Sequence, residues 1–187
     1  MTTLLRGALL SPHFTVDEAL KSTPNLSGIP ANVRPAVQLA AQRMEELRAL
    51  LGRKPVNPTS WYRDFENNQR VGGKADSSHL SGYALDFTVK GMRPREIMHM
   101  IAANVTTLGV DQAIEYGGHV HISFDPRRRG QLLLATGGGT FVPWKPTEAI
   151  QPMSKEPGSP EPGSSAWWLA LAAAIVTAIL TFLTKQS

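Results

Sequence analysis

The chain has 187 residues, a length that provides for one ordinary domain with a segment to spare. It contains no cysteine, which excludes disulfide scaffolds, thiolate metal sites and cysteine nucleophiles and leaves any metal to His, Asp or Glu. Nineteen Lys and Arg against fifteen Asp and Glu give a net charge of +4, which suits an anionic polymer, but no recognisable basic helix or sheet motif gathers these charges, so no nucleic-acid partner is expected.

The first ten residues carry one charge and only brief apolar pieces, so no secretory signal is expected there and export would need another route. Thr15-Val16-Asp17-Glu18 has the form of a capping box and predicts a short helix after Phe14. Val33, Val37, Ala40, Met44, Leu47 and Leu51 recur at spacings of four and three, the apolar stripe of a longer helix, with Gly52 as its stop. Pro94 suits the first turn of a further helix reaching about Asn104, with Ile97, Met98 and Ile101 inward. Strands are expected around residues 56–62, 83–89, 111–116, 119–124 and 131–135. Helices first and strands mostly later predict a small α+β domain over residues 1–144, with an antiparallel sheet packed by helices. The basic run Arg127-Arg128-Arg129 has no interleaved aromatics and reads as a solvated turn.

Composition changes after Trp144. Residues 145–165 contain prolines at 146, 152, 157, 160 and 162 among Gly, Ser and charged residues, the signature of an extended linker. Beyond it, residues 166–184 begin with an uncharged apolar run of 18 residues, Ala166 to Leu183. As a helix that run is about 27 Å long at about 1.5 Å per residue, close to the roughly 30 Å of a hydrocarbon core. Trp167 and Trp168 at one end and Lys185 at the other are interface-anchoring types, so a single C-terminal transmembrane helix and a lipid bilayer partner are expected. Lysines on both sides leave its orientation open.

The chemistry concentrates in two places. His79 and Asp86 lie seven residues apart around Gly82, a turn that can bring imidazole and carboxylate to one metal. Zinc accepts both, and a catalytic zinc takes three protein ligands plus water. His119-Val120-His121 offers the third, since the period of two along a strand puts both imidazoles on one face and either could bind. His13, in a loop, and His99, on a helix, read as structural.

Ser77-x-His79-x-x-Gly82-x-Ala84-x-Asp86, followed by a strand His, resembles the zinc D-Ala-D-Ala carboxypeptidase and L-alanyl-D-glutamate endopeptidase family, which includes many bacteriophage endolysins. Thr59-Ser60-Trp61-Tyr62-Arg63, Asn68 and Val71-Gly72-Gly73 resemble the family's segment before the first ligand, and the similarity runs over residues 14–135. The resemblance implies a Hedgehog/D-Ala-D-Ala-peptidase-like fold and a Zn2+ ion on His79, Asp86 and His121. It also implies a peptidoglycan peptide substrate and a phage or prophage role in lysis or entry. Arg63, Ser77 and Asn68 become candidate substrate-binding residues, Arg63 also stabilising the oxyanion. Many relatives carry an acid three positions before the last ligand, where this chain has Gly118. Glu115 is the nearest replacement and matches the wider spacing of a phage-type branch, which makes it the candidate base.

Turn length decides whether Glu115 faces the metal. A two-residue Gly117-Gly118 turn would pair Tyr116 with His119 and turn Glu115 away. A three-residue loop, Tyr116-Gly117-Gly118, would align Glu115, His119 and His121 on one face, and this is the expected arrangement. His119 stands where relatives often have Trp and is placed in the catalytic vicinity. The competing expectation is a non-catalytic, zinc-stabilised wall-binding domain on a membrane tether.

Overall fold

A computed structural model describes residues 4–146. The linker from residue 147 onward and the proposed membrane segment 166–184 therefore lie outside the described residues. Among the described residues no helix is long and apolar enough to cross a membrane. Met1–Lys145 is one compact unit.

The order of elements is β1 (Leu9–Ser11), β2 (Phe14–Thr15), α1 (Val16–Ala19), α2 (Arg34–Leu50), β3 (Val56–Ser60), α3 (Phe65–Arg70), β4 (Ala84–Val89), α4 (Pro94–Ala103), α5 (Val105–Leu108), β5 (Gln112–Glu115), β6 (Val120–Ser123), β7 (Gln131–Gly137) and β8 (Thr140–Pro143). α1 begins at the expected capping box: the Glu18 amide donates to Thr15 Oγ1 while the Glu18 carboxylate accepts from the Thr15 amide. That start sends Val16, Ala19 and Leu20 fully into the core. α2 buries Val37, Ala40, Met44 and Leu47 completely, members of the stripe its spacing predicts, and Ala41 beside them. Truncating one of the large members, Met44 or Leu47, to Ala costs about 2–5 kcal/mol. Beyond its end Gly52 adopts φ of +71°, the left-handed conformation that stops a helix.

Six strands form one sheet in the order β3-β4-β6-β5-β7-β8. Leu85, Phe87, Ala113, Val120 and Ile122 cover one face and are wholly buried in the same cluster as α2 and α4. Asp86, Ile114 and His121 alternate onto the opposite face, where they are neighbours across β4, β6 and β5. The expected antiparallel sheet is corrected in one respect: β7 runs parallel to β5. After β6 the chain passes the end of β5 through residues 124–130 and enters on its other edge, a connection that short-range strand patterning does not reveal. β8 then returns antiparallel to β7.

Candidate active site

Three elements deliver the chemistry. His79 sits in the turn before β4, Asp86 on β4 and His121 on β6, opposite Asp86 in register. The turn holding His79 is tightly wound: the Gly82 amide donates to the His79 carbonyl, the Tyr83 and Ala84 amides donate to the Ser78 carbonyl, and the His79 amide donates to Ser77 Oγ. Gly82 has φ of +83°, and a Cβ there would lie 2.8 Å from Val37 Cγ2, so the turn needs glycine both for its conformation and for its approach to α2.

His79 Nδ1 donates to the Trp61 carbonyl at 2.6 Å, which fixes the tautomer and leaves Nε2 with a lone pair. That Nε2 lies 3.2 Å from His121 Nδ1 and 3.3 Å from Asp86 Oδ1, while His121 Nδ1 lies 2.8 Å from Asp86 Oδ1. Three electron-pair donors thus converge on one point with His79 unable to supply a proton between them. A tetrahedral zinc with bonds of about 2.0–2.2 Å separates its ligand atoms by about 3.3–3.6 Å, so the donor types and the two separations from His79 fit a bound ion, while the 2.8 Å between His121 and Asp86 is a hydrogen bond that an ion would replace by opening the pair. Among the described residues these three form the group able to hold a metal. Burial lowers the His121 pKa and keeps the ring neutral against the opposing pull of Asp86. Burial alone would raise Asp86, but the hydrogen bond from the His121 side chain holds its carboxyl well below the usual range.

Arg63 meets this centre through Asp86. Its Nη2 donates to Asp86 Oδ2 at 2.5 Å and its Nε to Ser60 Oγ at 2.8 Å, so it orients a donor carboxylate while lining the cleft. Ser77 also lines the cleft. Asn68 does not. It is 1% exposed, and its Nδ2 donates to the Lys74 carbonyl, bracing the loop that forms one cleft wall.

The expectation for Glu115 is overturned. β5 and β6 pair Glu115 with Val120 and Ile114 with His121, and the Tyr116 amide donates to the His119 carbonyl. The turn is therefore the two-residue Gly117-Gly118 form, which puts Glu115 on the face opposite His121. Its carboxylate instead accepts from Arg95 on α4 at 2.9 Å and from the indole of buried Trp144. Arg95 also lies over the Trp144 ring, 5.1 Å from its centroid, and His99 packs edge-on against the same ring. These partners are distant in sequence, and they make Glu115 a clasp between α4, β5 and the residue following β8.

His119 does share a face with His121. It stacks on Tyr116, with centroids 4.5 Å apart and planes 9° from parallel, and Phe141 meets Tyr116 edge-on at 6.2 Å. Burial lowers the His119 pKa, so the ring is neutral near pH 7. Both residues line an open cleft of about 790 Å3 whose floor is the His79, Asp86, His121 group. The Trp61 carbonyl, Tyr116, Arg127 and Arg129 complete the surroundings, and sequence reasoning missed all four. For Trp61 a signal existed: it lies in the segment just before Arg63 that resembles the family.

The Peptidase M15 family model matches residues 12–123. No curated protein matches the chain. The matched segment runs from β2 through β6, spans more than half of the chain and contains all three converging donors, Arg63, Ser77 and the Gly82 turn. This chain belongs to the peptidase M15 family.

Proposed function

We propose that this peptidase is zinc-dependent, hydrolyses amide bonds in bacterial peptidoglycan stem peptides in phage or prophage lysis or entry, and is held at a bilayer by residues 166–184. The observation that carries the reading is the convergence of His79 Nε2, Asp86 Oδ1 and His121 Nδ1 at the floor of an open cleft. Bound there, zinc supplies an activated water of pKa about 7 and polarises a carbonyl.

The residues of the chain do the rest. The Trp61 carbonyl holds His79 in its ligating tautomer, and Arg63 holds Asp86 by the oxygen turned away from the imidazoles. The Arg63 charge, 15% exposed at the cleft wall, stands where it stabilises negative charge developing on a bound amide. His119, fixed in plane by Tyr116, takes the proton-handling place expected of Glu115. It stacks on Tyr116 instead of joining the three donors, which fits an enzyme with an open coordination position better than a closed structural pin. The uncharged run at 166–183, framed by Trp167, Trp168 and Lys185, supports the tether. A tether concentrates the domain near wall substrate.

The test is release of new amino groups from purified peptidoglycan by the chain in detergent solution, with chelator and with zinc added back. The reading expects release that stops with chelator and returns with zinc. No release by folded, zinc-loaded protein on several wall types overturns it in favour of a binding module.

A further inference from the structure

The cleft is chemically lopsided. Gln112, Ile114 and Tyr116 share its floor along β5, a run of about 13 Å at roughly 3.3 Å per residue. At the Tyr116 end the walls are aromatic, built from the Tyr116–His119 stack and Phe141. At the Gln112 end they are charged, with Arg127, Arg129 and Lys74 beside Ser78 and a single lining carboxylate there, Asp76. His121, paired with Ile114, lies between the two ends.

The two arginines are fixed. Arg129 forks onto Asp111 through Nε at 2.9 Å and Nη2 at 2.6 Å, and the Asp111 side chain is fully buried. Arg127 forks onto Asp125 at 2.9 and 3.3 Å and donates from Nη2 to Ser78 Oγ at 3.1 Å. Among the described residues Nη1 of neither arginine makes a protein hydrogen bond, while the side chains are 43% and 41% exposed. A guanidinium already held on one edge loses little freedom when a second carboxylate binds the other. Both residues lie beyond the family-matched segment, which ends at 123, so the shared core does not account for them.

We propose that Arg127 and Arg129 form a subsite for a free carboxylate of the substrate. The bound peptide then lies across the His79, Asp86, His121 centre with its carboxylate at the Gln112 end. For the nature of that peptide the proposal rests on the peptidoglycan reading. Stem peptides carry a carboxylate at the chain end and another on D-Glu, each free or amidated, and the subsite makes the protein sensitive to that difference.

The test is calorimetric titration of the full chain in detergent, with chelator present to prevent turnover. The ligands are L-Ala-D-Glu-L-Lys-D-Ala-D-Ala and its two mono-amides, one at the D-Glu carboxylate and one at the C-terminus. The proposal expects one amide to bind at least tenfold more weakly than the free acid. Arg127→Gln should erase that difference, and Arg127→Lys should keep part of it, since Lys retains charge without the fork. Equal binding of all three peptides by the wild type, including no binding of any, overturns the proposal, as does discrimination that survives in a folded Arg127→Gln protein. Release of amino groups from wall by the same protein, reloaded with zinc after the chelator is removed, is scored separately. Hydrolysis without discrimination sinks the subsite alone, whereas discrimination without hydrolysis keeps the subsite and sinks the peptidase reading.

Discussion

Replacing Glu115 with Ala separates a clasp from a catalytic base. The carboxylate accepts from the indole of Trp144, which is 6% exposed, and loss of a hydrogen bond from a buried donor to a charged group costs about 1.5–3 kcal/mol. The Arg95–Glu115 pair, with side chains 31% and 15% exposed, adds about 0.5–1 kcal/mol after solvent screening. A domain of this size shifts by roughly 3–5 °C per kcal/mol, so the melting temperature should fall by roughly 6–20 °C. Glu115→Gln retains an acceptor for the indole and should lose less. Thermal unfolding followed by tryptophan fluorescence reads the first quantity. Amino-group release per folded molecule, measured well below the transition, reads the second and should stay within about twofold of wild type. Removing a general base costs about 100-fold or more, so a Glu115→Ala protein with wild-type melting and activity reduced to that degree refutes the placement of Glu115 behind the sheet.

Three other perturbations have defined outcomes. Burial alone would raise the Asp111 carboxyl, but hydrogen bonds from the Arg129 side chain and backbone hold it below its usual range. A carboxylate held low contributes stability that is complete above its unfolded value, near pH 4, and is lost as pH falls through its folded value. Melting temperatures measured from pH 5 to pH 2 should therefore drop less steeply in Asp111→Asn than in wild type, and equal slopes contradict the assignment. Gly82→Ala places a Cβ 2.8 Å from Val37 Cγ2 at φ of +83°, and should cost about 1–3 kcal/mol in melting experiments while weakening zinc binding, because His79 and Asp86 flank it. Arg63→Ala should weaken zinc binding by about 10–100-fold in competition with a chromophoric chelator, as removal of a residue orienting a ligand does; unchanged affinity would return Arg63 to a role toward substrate alone.

The parts of this fold legible in the sequence are those governed by short-range rules. The Thr15–Glu18 capping box, the α2 stripe and the α4 start at Pro94 follow from local hydrogen bonding and periodicity, and the structure has all three. The pairing of His79 with Asp86 and His121 was legible through the family pattern and the alternation of side chains along a strand. Glu115 was misplaced because one residue of turn length inverts a strand's faces. The residues that settle the turn, Arg95 and Trp144, lie 20 or more positions from Glu115 and carry no local mark. Arg127 and Arg129 were read as a solvated turn for a related reason. Their partners Asp111 and Ser78 come from other elements, brought together only when the chain crosses the end of β5. Asn68 belongs to the family-like segment, but its amide braces the Lys74 carbonyl, a packing role that motif matching does not separate from substrate contact.

One metal held by His79, Asp86 and His121 is the proposed seat of hydrolysis. Its most direct test is titration of metal-free chain with zinc, following bound metal and cleavage of purified wall peptides in the same sample. Both signals should rise together and level at one equivalent, and Asp86→Asn should show neither at that stoichiometry. Full cleavage by the metal-free protein, or a saturated site with no cleavage, would contradict the account.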